Sequence, residues 1–208
     1  IFFRFIRFNG SPFKETTQMA RVGRLAKSST AFFLCDVQEK FVPVIKHADS
    51  VVWVSNYLSA ASAVLNCPLI VTEQYPKGLG HTFTDVRLPE HAKVFEKTRF
   101  SMCTDEVLAS LPTVVSDVVL FGIEAHVCIQ QTAMDLLEKG YNVHVAADGT
   151  SSQRQSDRLM AFERMRQMGV FVSTSESILF QLTKDAKDEH FKAVSNLSKD
   201  PSRPDCGL

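Results

Sequence analysis

Three side chains with complementary chemistry follow apolar segments of this chain: Asp36 after AFFLC, Lys97 after KVFE, and Cys128 shortly after DVVLFG. A carboxylate can accept the proton of a thiol, and an ammonium group can fix the charge and orientation of that carboxylate. Cys128 also falls near a helix start, where the dipole and free amides favour a thiolate and could stabilise an oxyanion. Taken singly, each residue has an ordinary structural explanation: packing for Cys128, capping for Asp36 and a solvated charge for Lys97.

The elements that would position these residues alternate between strands and helices. Short apolar runs predict strands at 31–37, 68–73, 93–97, 117–122, 142–148 and 170–175. Helical periodicity or capping signals predict helices at 51–65, 104–111, 127–139, 155–168 and within 188–197. Strands without inside/outside alternation that are separated by helices are typical of a parallel sheet covered on both faces. We therefore predict a three-layer α/β fold.

The carboxyl ends of parallel strands share one edge of the sheet, and ligands of open α/β sheets bind there. That edge would carry Asp36, Glu73, Lys97, the turn containing Cys128, and Asp148. The position of Asp36, Lys97 and Cys128 at one edge of the sheet favours a common catalytic role over three unrelated structural roles. Spacing alone does not show that the side chains meet.

The remaining cysteines and histidines are weaker candidates. Cys35 lies inside an apolar run and is expected in the core, while Cys67 and Cys103 have no activating residue nearby in sequence. Cys128 has no obvious resolving cysteine nearby in sequence, so a redox sensor is a minor alternative. His126 either lines a pocket or faces solvent. Because the six histidines show no short metal-ligand spacing, we predict no metal and no cofactor.

The composition is that of one globular domain. The 208 residues are 45% apolar and 22% charged, and 23 basic residues balance 23 acidic ones, so no nucleic-acid partner is indicated. No apolar run approaches the roughly 18 residues of a membrane helix. The five scattered cysteines favour a reducing compartment, with cytoplasm expected and mitochondrion or nucleus as alternatives. We predict a domain at 19–197, a disordered or non-native extension at 1–18 and a flexible tail at 198–208.

Three blocks of the sequence resemble the signature segments of one known family. They are FFLCDVQEKF at 32–41, EKTRFSM at 96–102 and LFGIEAHVCIQQTAMDLL at 120–137. In order and spacing they resemble the isochorismatase-like cysteine hydrolases, a superfamily that includes nicotinamidases and carbamoylsarcosine amidohydrolases. The segments VTEQYPKGLGHT and STSESILFQL bring the resemblance closer to the animal isochorismatase domain-containing proteins, types 2 and 1.

The resemblance implies a Rossmann-like α/β/α sandwich of about six parallel strands, assembled as a homodimer or tetramer. By position, Cys128 corresponds to the nucleophile, Asp36 to the general acid/base and Lys97 to the cation paired with the aspartate. The family also implies a cis peptide between Ile123 and Glu124, which would aim the amides of Glu124 and Cys128 into an oxyanion hole. The residues expected around the pocket are Gln38, Phe41, Glu73, Gln74, Tyr75, Phe100 and His126.

Departures from the family pattern narrow the expected function. Nicotinamidases bind a metal through an acid and histidines in the loop after the second strand, whereas this chain has TEQYPKGLGHT there, so neither the metal nor nicotinamide is expected. Glu124 and Ala125 stand where amidases of the family often have alanine and threonine, which changes the pocket. We predict a cysteine hydrolase that acts on a small amide, ureide or ester through an acyl-enzyme. The alternative is a binding or scaffold protein with little turnover.

Overall fold

The computed structural model describes residues 22–208, so the predicted extension at 1–18 lies outside the described residues. The strands are β1 (Thr30–Cys35), β2 (Leu69–Gln74), β3 (Lys93–Lys97), β4 (Asp117–Ile123), β5 (Asn142–Ser151) and β6 (Phe171–Ser173). The helices are α1 (Ala48–Val64), α2 (Pro76–Leu79), α3 (Asp105–Ala109), α4 (Gln130–Glu138), α5 (Gln155–Gln167), α6 (Ser175–Thr183) and α7 (Phe191–Ser198). Short 3-10 turns cover Lys27–Ser29 and Val42–Val44, and a π-helical turn, Ala125–Ile129, runs directly into α4.

The six strands form one parallel sheet in the order β3-β2-β1-β4-β5-β6. Successive residues of a strand point to opposite faces, so β1 contributes to two cores. Phe32 and Leu34 pack with side chains of α1, α6 and α7, whereas Phe33 and Cys35 pack with side chains of α3, α4 and α5. Both faces of the sheet are therefore covered, and the predicted three-layer α/β/α sandwich is confirmed. Within residues 22–208, no helix combines the length and apolarity needed to cross a bilayer.

The strand order creates a crevice at the carboxyl edge of the sheet. The chain runs outward from β1 to β2 and β3, then returns to place β4 on the other side of β1. At such a reversal the connections leave in opposite directions, which opens a space for ligands. Asp36 follows β1 and the turn containing Cys128 follows β4, so both residues flank this crevice.

Two predicted strands have different ends in the structure. The strand predicted at 142–148 continues to Ser151, because its last two residues pair with the end of β4. The strand predicted at 170–175 ends at Ser173, and the side chain of Thr174 caps α6 instead. The residues at the carboxyl ends of these two strands are polar, so the apolar pattern did not mark where each strand ends. Whether such residues are buried depends on neighbouring elements and not on the local sequence.

The C-terminal segment, for which a flexible tail was predicted at 198–208, makes contacts with the domain, and its flexibility stays a prediction. Arg203 Nη2 lies 2.7 Å from Asp148 Oδ2, and the fully buried Arg158 donates to the carbonyl oxygen of Cys206 at 2.6 Å. The proline-rich, charged sequence suggested a solvated tail. Its arginine and carbonyl groups instead have partners on the folded domain, which only the tertiary structure supplies.

Gly122 lets β4 approach β1 closely beside the crevice. Its φ is 122°, and a Cβ atom at this position would overlap the carbonyl oxygen of Cys35. The pairing of β4 with β5 also shifts register between Leu120 and Gly122, as in a β-bulge. A side chain at Gly122 would therefore displace the end of β1 that carries Asp36.

We expect Gly122→Ala to lower the free energy of unfolding by roughly 3 kcal/mol or more, because the new methyl group adds overlap to backbone strain. Gly140→Ala is a matched control, since Gly140 has a φ of 86° but a Cβ atom added there would have no neighbour within 4 Å. It should cost only about 1 to 2 kcal/mol, the strain contribution alone. Urea unfolding of both variants measures the difference. Equal losses would contradict the close approach of β4 to β1.

Candidate active site

Asp36 and Lys97 form a buried ion pair at the carboxyl ends of β1 and β3. Lys97 Nζ lies 2.7 Å from Asp36 Oδ2, and the exposed fractions of the two side chains are 0% for lysine and 1% for aspartate. Removing two charges from water costs several kcal/mol per ion, so such a pair persists only when further hydrogen bonds satisfy both groups. The neighbouring residues supply those bonds.

Lys97 is surrounded by hydrogen-bond acceptors. Its ammonium group lies 2.7 Å from Gln74 Oε1 and 3.1 and 3.0 Å from the carbonyl oxygens of Arg99 and Phe100. Burial opposes its charge, but two neighbouring cysteines and Asp36 outweigh that effect and raise the pKa of Lys97 above its ordinary value. Lys97 is therefore a permanent cation in this site.

Thr72 fixes the orientation of Asp36. The Thr72 hydroxyl donates to Asp36 Oδ1 at 2.8 Å, and the Asp36 amide donates to the Thr72 carbonyl oxygen at 3.1 Å. Asp36 has a φ of 53°, a left-handed conformation that aspartate tolerates better than most residues. This conformation ends β1, and the carboxylate then presents Oδ2 to Lys97.

Cys128 lies in the π-helical turn that begins the helix after β4. Its sulfur, the sulfur of Cys35 and a carboxylate oxygen of Asp36 all lie within 4.8 Å of one another. Thr132 steadies the turn, because its hydroxyl donates to the Cys128 carbonyl oxygen at 2.6 Å. The tertiary structure thus brings the thiol, the carboxylate and the Lys97 ammonium group together, although the three residues are far apart in sequence.

The other buried thiols differ from Cys128 in their surroundings. Burial raises the pKa of both Cys67 and Cys103 to about 11, so both are protonated near neutral pH. Burial, with further contributions from Cys128 and Asp36, raises the pKa of Cys35 well above its ordinary value. Cys35 is a core residue, as predicted, yet its sulfur also lies 3.4 Å from Asp36 Oδ2. The proximity of Cys35 to Cys128 was not predicted, because only β1–β4 pairing creates it.

A cavity of about 910 Å³ opens next to Cys128, which is 4% exposed and forms part of its wall. This volume is typical of small-molecule sites. Five residues expected at the pocket line this cavity: Phe41, Gln74, Tyr75, Phe100 and His126. The other lining residues are Gly78, Leu79, Thr98, Glu124, Val127, Gln153, Arg154 and Asp157.

Gln38 and Glu73 were expected at the pocket but support the loop after β2 instead. Gln38 Nε2 donates to the carbonyl oxygens of Gln74 at 3.0 Å and Gly80 at 2.6 Å. Glu73 Oε1 accepts the amide and hydroxyl hydrogens of Thr82 at 2.7 and 2.8 Å. Their side chains thereby hold the loop that supplies Tyr75 to the cavity.

The residues that line the cavity after β5 were missed. Gln153, Arg154 and Asp157 were not expected there, because the predicted strand ended at Asp148. Asp148 does not line the cavity, and its carboxylate accepts the amide and hydroxyl hydrogens of Ser175 at 2.8 and 2.6 Å. Extending the predicted strand to the polar residues that follow would have found the missing wall.

The turn after β4 differs from the expected one. Residues 22–208 contain no cis peptide bond, so the prediction of a cis bond between Ile123 and Glu124 is wrong for this structure. The chain turns instead through Glu124, which has φ 45° and ψ 80° with trans peptide bonds. A left-handed residue thus makes the reversal that was assigned to a cis bond. The oxyanion role of the Glu124 and Cys128 amides stays a prediction.

The Glu124 side chain forms part of the cavity wall. Its Oε1 accepts a hydrogen bond from Gln153 Nε2 at 3.0 Å. Its Oε2 has no hydrogen-bond partner among the described residues and lies 3.3 Å from His126 Nδ1, a separation that suits an ion pair only when the imidazole is protonated. His126 is half-buried and lines the cavity, so the pocket alternative for this residue is the one observed.

The residues near the cavity do not fit a resident metal ion. In the described part of the chain, the two cysteines and Asp36 form the one cluster with enough close ligand atoms, but the Lys97 ammonium group already pairs with that carboxylate and would repel a cation. In the loop after β2, Glu73 Oε2 lies 2.8 Å from His81 Nδ1, and Thr82 occupies the other carboxylate oxygen. This pair has no third ligand among residues 22–208.

Known proteins share both the sequence and the fold. The family profile described as the isochorismatase domain matches residues 30–177. Isochorismatase domain-containing protein 1 from Salmo salar is 48% identical over 195 residues, which cover 92% of this chain and 68% of that protein. Isochorismatase domain-containing protein 2 from Danio rerio is 48% identical over 192 residues, which cover 91% and 96%.

A solved structure described as the MAR1 ribonuclease from Caenorhabditis elegans is 44% identical and superposes with a TM-score of 0.85, covering 89% of this chain and 96% of that one. The profile spans β1 to the first turn of α6 and therefore includes every strand of the sheet. The resemblance seen in the three sequence blocks is confirmed, and the chain belongs to the isochorismatase family.

Proposed function

We propose that this protein is a cysteine hydrolase that cleaves a small amide, ureide or ester through an acyl-enzyme. The observation that carries the proposal is the position of Cys128, which forms part of the cavity wall and whose sulfur lies within 4.8 Å of an Asp36 carboxylate oxygen. Family membership supports hydrolysis as the general reaction.

The proposed reaction has two halves, the formation of an acyl-enzyme and its hydrolysis, and Asp36 transfers protons in both. Asp36 takes the proton of Cys128, and the thiolate attacks the substrate carbonyl carbon. The amides of Glu124 and Cys128 stabilise the oxyanion, and Asp36 returns its proton to the leaving group as the C–N or C–O bond breaks. A water molecule, deprotonated by Asp36, then attacks the thioester carbonyl carbon, the C–S bond breaks, and Asp36 returns the proton to the Cys128 sulfur. Lys97 keeps the carboxylate oriented through both halves and compensates its charge.

The packing around the ion pair favours this role over a structural one. A buried ion pair contributes little to stability, because replacing it with apolar residues is often neutral or stabilising. A purely structural pair also has no need of a thiol beside it. Here the aspartate has one oxygen held by Thr72, and its other oxygen faces Lys97 and the sulfur of Cys35. The Cys128 sulfur lies within 4.8 Å of an Asp36 carboxylate oxygen. This leaves the carboxylate next to the one thiol that borders the cavity. Such an arrangement suits proton transfer.

Glu124 indicates the class of substrate. A carboxylate in the cavity wall accepts hydrogen bonds and cannot donate them, and its Oε2 lacks a hydrogen-bond partner among the described residues. This oxygen is almost completely buried, so a substrate N–H group close to the scissile carbonyl would satisfy it only after the Glu124 side chain turns toward the cavity. Asp157 adds a second acid and Arg154 one base to the same wall. Amides and ureides therefore suit the cavity better than esters of the same shape.

Two other functions are weighed against this one. A binding or scaffold protein would keep the pocket and need no turnover, so replacing Cys128 would leave its cellular role intact. The 44% identity to a protein described as a ribonuclease makes RNA a second candidate substrate. Because the chain has no net basic charge to attract a phosphate backbone, we place RNA second.

The expected dimer or tetramer is measured by light scattering of the purified protein.

The reactivity of Cys128 tests the proposed nucleophile. Near neutral pH, iodoacetamide should label Cys128 faster than Cys67, whose raised pKa keeps it protonated. Asp36→Asn should slow that labelling roughly tenfold or more, because the proton acceptor is lost. Asp148→Asn is a matched control that removes another buried carboxylate and should leave the rate unchanged. Equal labelling of Cys67 and Cys128, unaltered by Asp36→Asn, would refute the mechanism.

A substrate screen tests the turnover. Small amides, ureides and esters, with single-stranded RNA as a separate arm, are incubated with the wild-type protein and with Cys128→Ala. We expect hydrolysis of at least one C–N bonded compound and its nearly complete loss in the variant, because the nucleophile and its base act as a unit. RNA cleavage that survives Cys128→Ala would favour the ribonuclease alternative, and absence of any turnover would favour the binding protein.

Glu124→Gln tests the substrate class. The ratio of kcat/KM for a ureide or amide to that for a matched ester should fall about tenfold, since the amide side chain replaces one strong acceptor with a donor. Alkylation of Cys128 should stay close to the wild-type rate, which shows that the nucleophile is intact. Glu138→Gln serves as the control, because Glu138 is an exposed acid that does not line the cavity. An unchanged ratio would contradict the proposed contact.

A further inference from the structure

The hydrolytic mechanism leaves one thiol of the site unused. Cys35 is the last residue of β1, is fully buried and lies in the same core as Cys128. Its sulfur and that of Cys128 lie within 4.8 Å of each other, and both lie within this distance of an Asp36 carboxylate oxygen. The two cysteines are far apart in sequence, so their proximity follows from the pairing of β1 with β4.

We infer that Cys128 is a site of oxidation by hydroperoxides and that Cys35 resolves the product as a reversible Cys35–Cys128 disulfide. The inference depends on the reactivity of the Cys128 thiol and not on any hydrolytic turnover.

The two cysteines differ in access, which sets the order of events. Cys128 borders the cavity, which gives a small hydroperoxide a path to this residue. Cys35 is 0% exposed and is covered by the sheet and by the helices on that face. Oxidation therefore begins at Cys128, and Cys35 can act only on an oxidised sulfur that is already beside it. This order is that of a peroxide-reactive cysteine and its resolving cysteine.

The chemistry balances in two steps. Asp36 takes the Cys128 proton, the thiolate attacks the terminal peroxide oxygen, and the O–O bond breaks to give a Cys128 sulfenic acid. The departing alkoxide or hydroxide takes the proton back from Asp36 and leaves as an alcohol or water. The Cys35 sulfur then attacks the Cys128 sulfur, the S–O bond breaks and the S–S bond forms. The Cys35 proton passes through Asp36 to the departing hydroxide, which leaves as water. Two thiols lose two electrons, and one hydroperoxide gains them.

Asp36 is placed to assist the second step. The Cys35 thiol donates toward Asp36 Oδ2 at 3.4 Å, the same oxygen that accepts from Lys97. Burial raises the pKa of Cys35, so this thiol remains protonated until a base removes its proton. An S–S bond of about 2.05 Å requires the sulfurs to approach from their resting positions. Because Cys35 is fixed in a central strand, that movement falls to the turn at Ala125–Ile129.

Disulfide formation would have two consequences for the site. It would remove the Cys128 thiol, so any hydrolysis that depends on this thiol would stop until a reductant restores it. It would also protect Cys128 from further oxidation, since a sulfenic acid without a resolving thiol proceeds to the irreversible sulfinic acid.

The experiment oxidises the full chain with a small excess of hydrogen peroxide, blocks the remaining thiols and maps peptides by mass spectrometry. We expect a Cys35–Cys128 cross-linked peptide and recovery of nearly all iodoacetamide labelling at Cys128 after dithiothreitol. Cys35→Ala should give Cys128 sulfinic acid instead, and dithiothreitol should restore little labelling. Cys35→Ser serves as a second variant in case the alanine protein folds poorly, which circular dichroism detects.

Cys103→Ala is the matched control, because Cys103 is another buried cysteine on the same face of the sheet and should behave as wild type. An uncross-linked Cys128 sulfinic acid in the wild-type protein, a disulfide with any other cysteine, or no oxidation of Cys128 would each overturn the inference. All of these readouts are masses and labelling rates. A protein without hydrolytic turnover can therefore still form the disulfide, and an active hydrolase can fail to form it.

Discussion

The buried pair of Asp36 and Lys97 is the interaction on which the rest of the site depends. Two ions at 2.7 Å with almost no exposure are stable only if their other hydrogen-bonding atoms are satisfied, because the desolvation cost is large. Thr72 and Gln74 on β2 provide the side-chain partners, and two carbonyl oxygens after β3 complete the set. The pair thus requires β1, β2 and β3 to hold one register. It brings three strand ends into a single polar cluster.

The cavity forms where this cluster meets the turn after β4. The order β3-β2-β1-β4-β5-β6 places β1 and β4 side by side at the reversal of the chain, and Gly122 permits their close approach. Loops after β2, β3 and β5 then supply the remaining walls of the cavity. The polar network below the cavity fixes the proposed catalytic groups, while the loops above it determine which ligand can enter. The two parts can therefore change independently, as expected for a fold that serves many substrates.

Two residues with a left-handed backbone conformation lie where the polar network meets the turn that borders the cavity. Asp36 and Glu124 each follow a strand and each have a positive φ, 53° and 45°. Backbone of this kind costs of order 1 to 3 kcal/mol for residues other than glycine and tends to cluster at functional sites. In the first case it directs a carboxylate to Lys97, and in the second it turns the chain so that Cys128 borders the cavity. The burial and pairing of β1 and β4, which precede these two residues, offset this cost.

Much of the architecture followed from the sequence alone. Continuous apolar runs separated by amphipathic segments determined a parallel sheet covered on both faces, because this pattern has few other stable solutions. The same runs located Asp36 and Lys97 at strand ends and Cys128 in the turn that follows a strand. What the sequence could not determine was burial at element boundaries: β5 extends past Asp148, and the tail that contains Arg203 packs against the domain. Both depend on contacts between distant segments, which no local pattern encodes.

The tertiary structure alone decided which chemical groups meet. It brought Cys35 beside Cys128, a contact that sequence separation concealed, and it directed the Gln38 side chain away from the cavity into the loop after β2. It also showed a turn at Glu124 built from trans peptide bonds. The sequence by itself determined the fold, the family and the three residues of the proposed mechanism, because periodicity and short motifs are local. The pocket walls and the thiol pair depend on strand order and close packing, and these arise only when the chain is folded.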